Sequence, residues 1–280
     1  MIKIITKLIP LQVKRKTIIL LNNLLKLRRI KISSKYTKSI NNSKYVLNGQ
    51  IAYNKYGGYF TPISSKSAQQ GSVIFEILNG EIYEPDTIKF MRDNCANGDI
   101  IHAGTFFGDF LPGLSNSLSN ERKIWAFEPD KDTFRCAQIT ALINDLKNVE
   151  LINTGLGDKT TMAKLLLELE SGIILGGASK IINEDTKGKT IDVKLVRIDD
   201  IIPKDRYISI VQLDVEGFEK EALSGALETI NRCKPILILE DNNKIIESNW
   251  FSENILSIGY KVTGKLHANT LLTIKTQHNK

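Results

Sequence analysis

From Gly98 onward, short apolar runs alternate with amphipathic stretches, the pattern of a parallel sheet covered by helices. Asp99–Ala103 (DIIHA), residues 123–127 (KIWAF), Val149–Ile152 (VELI), Ile208–Leu213 (ISIVQL) and residues 235–239 (PILIL) read as buried strands. Helices are expected from Leu111, over 131–145, from Gly217 through Asn231, and over 244–257, with short closing strands at 260–263 and 271–274. Residues 160–200 read as an insertion of strands and loops, broken by Gly172, Gly176, Gly177 and Gly188. Upstream, residues 33–48 are polar and turn-rich and read as a linker. Residues 49–96 carry aromatic and glycine punctuation around Tyr53, Tyr56, Gly57, Gly58, Tyr59 and Phe60.

Charge divides the chain further. No Asp or Glu precedes Glu76, whereas residues 1–75 hold 14 Lys and Arg, and the remainder carries 24 basic against 31 acidic groups. A basic segment has been joined to a mildly acidic body, so the partner this charge implies, a polyanion or an anionic membrane surface, concerns the first segment alone. Within residues 1–31 the longest uncharged run, residues 17–25, is far short of the roughly 18 residues that span a bilayer. Leu20, Leu21, Leu24, Leu25 and Leu27 at helical spacing, followed by Arg28 and Arg29, read either as an interfacial amphipathic helix over 1–32 or as a helix that caps the domain. A nucleic-acid arm ranks third, since aromatic residues for stacking are missing until Tyr36. These features give a division into a basic extension and linker (1–48), a lead-in or lid (49–96) and a main domain (97–280). They suit a cytoplasmic protein with peripheral membrane contact.

Three well-separated cysteines, Cys95, Cys136 and Cys233, form no Cys-x-x-Cys, and three histidines show no His-x-x-x-His. Neither a disulfide framework nor a Cys/His metal site is expected. The chemistry lies at the strand ends. After the first strand, Gly104 and Gly108 bracket a loop that can pass its backbone amides close to a ligand. After the second stands Glu128, placed as a carboxylate that accepts ribose hydroxyls. Asp214 and Glu216 follow the fourth, and Glu240 the fifth.

Leu213-Asp214-Val215-Glu216-Gly217-Phe218-Glu219, continued through Ala222 to Ala226 and then Lys234-Pro235-Ile236-Leu237-Ile238-Leu239-Glu240, resembles the signature of the FkbM-type methyltransferases, a branch of the class I S-adenosylmethionine-dependent enzymes. Trp125-Ala126-Phe127-Glu128-Pro129-Asp130 and the stretch from Asn153 to Asp158 are similar to that family's second and third motifs. The resemblance covers about residues 97–241. It implies an α/β fold, a Rossmann-like class I methyltransferase sheet, mostly parallel with helices on both faces, behind a basic N-terminal extension. It implies S-adenosylmethionine as cofactor and a sugar, glycan or other hydroxylated small molecule as methyl acceptor. The cofactor residues it points to are His102, Gly104, Thr105, Phe106, Gly108, Asp109, Glu128, Pro129, Gly155 and Leu156. Asp214 would contact the reacting group or act as base, with Glu216 orienting the acceptor and Tyr56, Tyr59 and Glu240 binding it.

One residue departs from the pattern. His102 stands where the family's first motif carries an acid, so it would have to reach the methionine carboxylate in protonated form, with Asp109 receiving the ammonium. A divalent metal on Asp214, Glu216 and Glu240 has only three scattered carboxylates behind it, and no metal is assigned. Two other classes stay open. A nicotinamide-dependent oxidoreductase would share the sheet but should show a tighter G-x-G-x-x-G loop. A non-catalytic, membrane-associated protein of the same fold draws its best argument from His102.

Overall fold

In the computed structural model, residues 32–40, 43–62, 72–95, 97–119, 121–182 and 186–274 are described, with side chains from Leu47 onward. Residues 1–31, on which the amphipathic-helix expectation falls, lie outside them. In chain order the elements are β1 (Ile32–Ile40), β2 (Ser43–Tyr53), β3 (Gly58–Pro62), α1 (Val73–Leu78), α2 (Pro85–Asn94), β4 (Asp99–Ala103), α3 (Leu111–Ser115), β5 (Ile124–Phe127), α4 (Lys131–Ile143), β6 (Val149–Ile152) and β7 (Gly155–Leu156). Then follow β8 (Thr161–Leu169), β9 (Lys180–Ile182), β10 (Gly188–Val196), α5 (Ile198–Ile201), β11 (Ile208–Leu213), α6 (Glu219–Ser224), α7 (Leu227–Cys233), β12 (Ile236–Glu240), α8 (Asn249–Asn254), β13 (Tyr260–Leu266) and β14 (Asn269–Ile274).

Seven strands form the main sheet in the order β13-β14-β12-β11-β4-β5-β6. The pairs β12–β11, β11–β4, β4–β5 and β5–β6 are parallel, and β14 runs antiparallel between β12 and β13. Every residue of β4, β5 and β11 is buried, which is why these strands read as nearly unbroken apolar runs. Ile101, Phe127, Val211 and Leu239 belong to the core on one face, with Ala222, Ile230 and Phe251 from the helices. Ile100, Ala126, Ile210 and Ile238 belong to the core on the other, with Ile88 and Met91 of α2 and Leu111 and Leu114 of α3.

The expected helix over 244–257 is interrupted. Ser248 caps α8 by accepting the Phe251 amide at 3.2 Å, and 3₁₀ turns flank it on either side. The segment 33–48 is not a turn-rich linker but strand, since β1 and β2 pair residue for residue from Ile32↔Ile51 to Ile40↔Ser43. Backbone pairing satisfies the donors and acceptors of a segment whose polar composition suggested none. β3 then leans on α4. The Phe60 amide donates to Thr140 Oγ1 at 3.0 Å, and Asn144 bonds both the N–H and the C=O of Gly58. The inserted region forms a second sheet, ordered β7-β10-β8-β9, that stands beside the carboxyl ends of the main strands. Among the described residues, no helix is long and apolar enough to cross a membrane.

Candidate active site

The strand order turns between β4 and β11, with β4 leading outward to β5 on one side and β11 to β12 on the other. Ligands of open α/β sheets lie outside the carboxyl ends at such a switch point. A cavity of about 330 Å³ opens there, lined by the ends of β4, β5, β11 and β12 and by Leu165, Leu175, Gly176 to Ser179 and Ile181 of the inserted sheet.

Its first wall is the loop after β4. Gly104 has φ +84°, and a Cβ there would drive into the carbonyl oxygen of Asp214, so only glycine lets the two strand exits run this close. Phe106 is itself held at φ +50°, an uncommon conformation for a residue with a side chain. Its amide donates to Glu128 Oε2 at 2.7 Å, while the Asp130 amide donates to Oε1 at 2.9 Å. Glu128 therefore ties the β4 and β5 loops together while facing the cavity. Burial pushes its carboxyl up to about 8 against the pull of those amides and the Thr133 hydroxyl, and burial raises Asp109 to about 7.

The second wall is acidic. Asp214, whose amide bonds the Ala103 carbonyl at 3.1 Å, is followed by Glu216 at φ +52° and Gly217 at φ +94°. That backward turn brings Glu216 over the same exit. One carboxylate oxygen from each of Asp214, Glu216 and Glu240 lies within 4.8 Å of the others. Burial comes first in raising Asp214 well above the usual carboxylate range, followed by its hydrogen bond to Glu240 and the charges of Glu240, Glu216 and Glu84. Glu216 rises to about 7 through burial and the charges of Glu240 and Glu219, with Lys180 opposing.

Gly104, Phe106, Asp109, Glu128, Pro129, Gly155, Leu156, Asp214, Glu216 and Glu240 all line this cavity. Five expected residues do not. His102 is 2% exposed, bonds Gln212 Oε1 through Nδ1 and stacks on Phe110 with ring centroids 5.1 Å apart. Burial lowers it to about 4, so it is a neutral core residue and not the protonated carboxylate ligand expected. It faces away because β4 alternates, and its register partner on β11 is Gln212. Thr105 is buried, with its hydroxyl on the His102 carbonyl, and Gly108 packs beneath Leu111 and Thr140. Tyr59 is fully buried with its hydroxyl on Asn54 Oδ1 at 3.1 Å, and Tyr56 lies beside Gly113 beneath Lys55 and Arg92. The aromatic platform expected of Tyr56 and Tyr59 is core packing between β3, α3 and α4.

Several lining residues carried no motif. Tyr83 is of this kind, as is the 176–179 turn, signalled only by its glycines, whereas Thr154, Val215 and Phe218 lie inside the motifs but were given no role. Behind the acidic wall, Glu84 at φ +45° accepts from Asn269 Nδ2 at 2.7 Å and meets His267 at 3.2 Å.

The family model for the methyltransferase FkbM domain matches residues 102–269. No curated protein matches the sequence. Among solved structures, the chain is similar to methyltransferase FkbM from Methylobacillus flagellatus KT at 21% identity and TM-score 0.44, over 63% of this chain and 43% of that one. It is similar to a SAM-dependent methyltransferase from Aquifex aeolicus at 14% identity and TM-score 0.38, over 69% and 88% of the two chains. A tRNA (uracil-54, C5)-methyltransferase from Pyrococcus abyssi, in complex with S-adenosyl-L-homocysteine, aligns at 10% identity and TM-score 0.37 over 85% and 43%.

Proposed function

The chain belongs to the FkbM methyltransferase family, for which S-adenosylmethionine is the methyl donor, and we propose that it methylates a hydroxyl of a sugar or similar hydroxylated small molecule. The observation that carries this reading is Glu128, a buried carboxylate at the β5 exit that is fixed by two backbone amides and still faces the cavity. Two further features fit the cofactor. Phe106, Phe127, Pro129 and Leu156 give an apolar slot for a purine, and the buried Thr154 hydroxyl oxygen in the same lining has no hydrogen-bond partner.

The bound cofactor supplies an electrophilic methyl group on a sulfonium. Glu128 would hold the ribose hydroxyls, and Asp109, which lines the cavity where position 102 does not, would receive the amino-acid end. Asp214, in its ionised form, would receive the acceptor's hydroxyl proton during methyl transfer. Glu216 and Glu240 orient the acceptor, and the inserted sheet shields the pair from water. Because His102 lies outside the cavity, its substitution for an acid takes no side chain from the lining, which weakens the non-catalytic alternative. Among the described residues no Lys, Arg or His lines the cavity, so a phosphate-rich acceptor such as RNA would meet like charge. This supports a neutral acceptor.

The test is calorimetric titration with S-adenosylhomocysteine and with NAD, followed by transfer of labelled methyl to a panel of glycosides. Binding of NAD in place of S-adenosylhomocysteine refutes the proposal. The basic segment 1–32 adds a separate proposal, reversible attachment to an anionic membrane surface, supported by its charge and leucine spacing.

A further inference from the structure

We infer that the acidic wall is a binding site for a hard divalent cation, held by Asp214, Glu216 and Glu240 together with the side-chain oxygen of Asn269. Two independent observations point there. The first is convergence: three carboxylates from two different strand exits bring oxygens within 4.8 Å of one another in a cavity that, among the described residues, no cationic side chain lines. The hydrogen bond between Asp214 and Glu240 relieves part of the repulsion in this half-buried cluster, and a dication that displaces the shared proton answers all three carboxylates at once.

The second is an orphaned acceptor. Asn269 is 2% exposed and its Oδ1 has no hydrogen-bond partner. Asn269 sits directly opposite Glu240 in the antiparallel β12–β14 ladder, so the two side chains leave the sheet on the same face. Its Nδ2 is committed to Glu84 Oε2, and its carbonyl oxygen is left without a donor. A buried carbonyl oxygen of this kind is costly unless something positive meets it. Carboxylates and an amide oxygen, with no sulfur or imidazole among them, form the donor set of Mg²⁺, Mn²⁺ or Ca²⁺ and not of zinc.

What the ion does rests on the methyltransferase reading; whether it binds does not. Placed at the acceptor end, it takes one or two hydroxyl oxygens of the acceptor as ligands and acidifies them, and the proton passes to a carboxylate oxygen left free of the ion. Vicinal hydroxyls, which chelate, become the preferred acceptor chemistry.

Mn²⁺ is the probe, titrated into the full-length chain with and without S-adenosylhomocysteine and followed by its EPR signal. One ion per chain is expected, and Glu240→Gln should weaken it by more than the roughly 10–100-fold that follows loss of an outer-shell partner. Glu216→Gln and Asn269→Ala should weaken it as well, and serve where Glu240→Gln fails to fold. Glu150→Gln, a surface change, should leave it untouched. Absence of bound Mn²⁺ at roughly millimolar ion overturns the inference. Binding that survives all three cluster substitutions overturns it too, as does an amine-bearing acceptor occupying the cluster in the ion's place. S-adenosylhomocysteine binding without Mn²⁺ binding defeats the cation site and leaves the methyltransferase reading standing. Mn²⁺ binding without S-adenosylhomocysteine binding does the reverse.

Discussion

Replacing Glu128 by alanine separates what this carboxylate does for the fold from what it does for the cofactor. In the protein alone, its two oxygens accept the Phe106 and Asp130 amides at 2.7 and 2.9 Å. Removing them leaves one buried and one part-buried N–H group without partners, at about 1–3 kcal/mol for the first and less for the second. Against a typical domain stability of about 5–15 kcal/mol, the variant should remain folded at low temperature with a lower melting point. Toward the cofactor, at a pH above about 8 where the carboxyl is ionised, the loss is two charge-assisted bonds from ribose hydroxyls at about 1.5–3 kcal/mol each, or about 3–6 kcal/mol together. At about 1.4 kcal/mol per decade, S-adenosylhomocysteine should bind roughly 10²–10⁴-fold more weakly. Glu128→Gln keeps one acceptor and the side-chain volume but turns an NH₂ toward one of the two amides, so both losses should be smaller. Calorimetry below the melting transition, with circular dichroism to verify the folded fraction, reads the two effects apart. A dissociation constant within about threefold of the parent in the alanine variant, with the fold intact, would refute the ribose assignment.

The same residue sets a pH dependence. Its carboxyl is raised to about 8 in the fold from an ordinary value near 4.5, so across that window the folded state holds a proton the unfolded chain has lost. Stability of the unliganded protein should fall as pH rises from about 5 to 8, by up to about 1.4 kcal/mol per unit from this group, and Glu128→Gln should flatten the denaturant-midpoint profile. Asp214→Asn should leave S-adenosylhomocysteine affinity nearly intact while slowing methyl transfer by about 10²–10⁴-fold; a collapsed thermal transition instead would mark Asp214 as structural. At the opposite end of β4, buried Asp99 accepts from Arg206 at 2.5 and 2.7 Å and from Trp125 Nε1 at 2.8 Å. Asp99→Ala should therefore cost about 3–5 kcal/mol in urea unfolding without changing cofactor affinity at low temperature. Deleting residues 1–32 should abolish salt-sensitive co-sedimentation with anionic vesicles and leave methyl transfer intact; vesicle binding that persists after the deletion would sink the membrane proposal.

The central strands were legible because burial on both faces makes each one a continuous apolar run. DIIHA and ISIVQL end where the apolar residues end, and ILILE runs one residue further, to Glu240. The N-terminal hairpin was not, since β1 and the first half of β2 are rich in Ser, Lys, Asn and Tyr, and what makes them strands is the ladder β1–β2, extended by the pairing of β2 with β3. The helix over 244–257 failed for a different reason. Its apolar spacing is helical throughout, but Ser248 offers its hydroxyl to the Phe251 amide and restarts the helix there, a local competition that periodicity does not register.

The site was legible in its parts and hidden in its assembly. Glu128, Asp214 and Glu240 each follow an apolar run, so each could be placed at a strand exit without knowing the neighbours. What no spacing along the chain reveals is that the parallel register sets Leu213 beside Leu239, so that the very next residues, Asp214 and Glu240, meet as a pair. Nor does spacing show the left-handed backbone at Glu216, which folds a third carboxylate back onto them. His102 misled for the complementary reason. Occupying the acid's place in the motif says nothing about which face of β4 it uses, and two-residue alternation turns it toward Gln212 and Phe110 while Ala103 and Gly104 border the cavity. A strand-end position fixes proximity to a cleft, but the parity of the strand decides which side chains enter it.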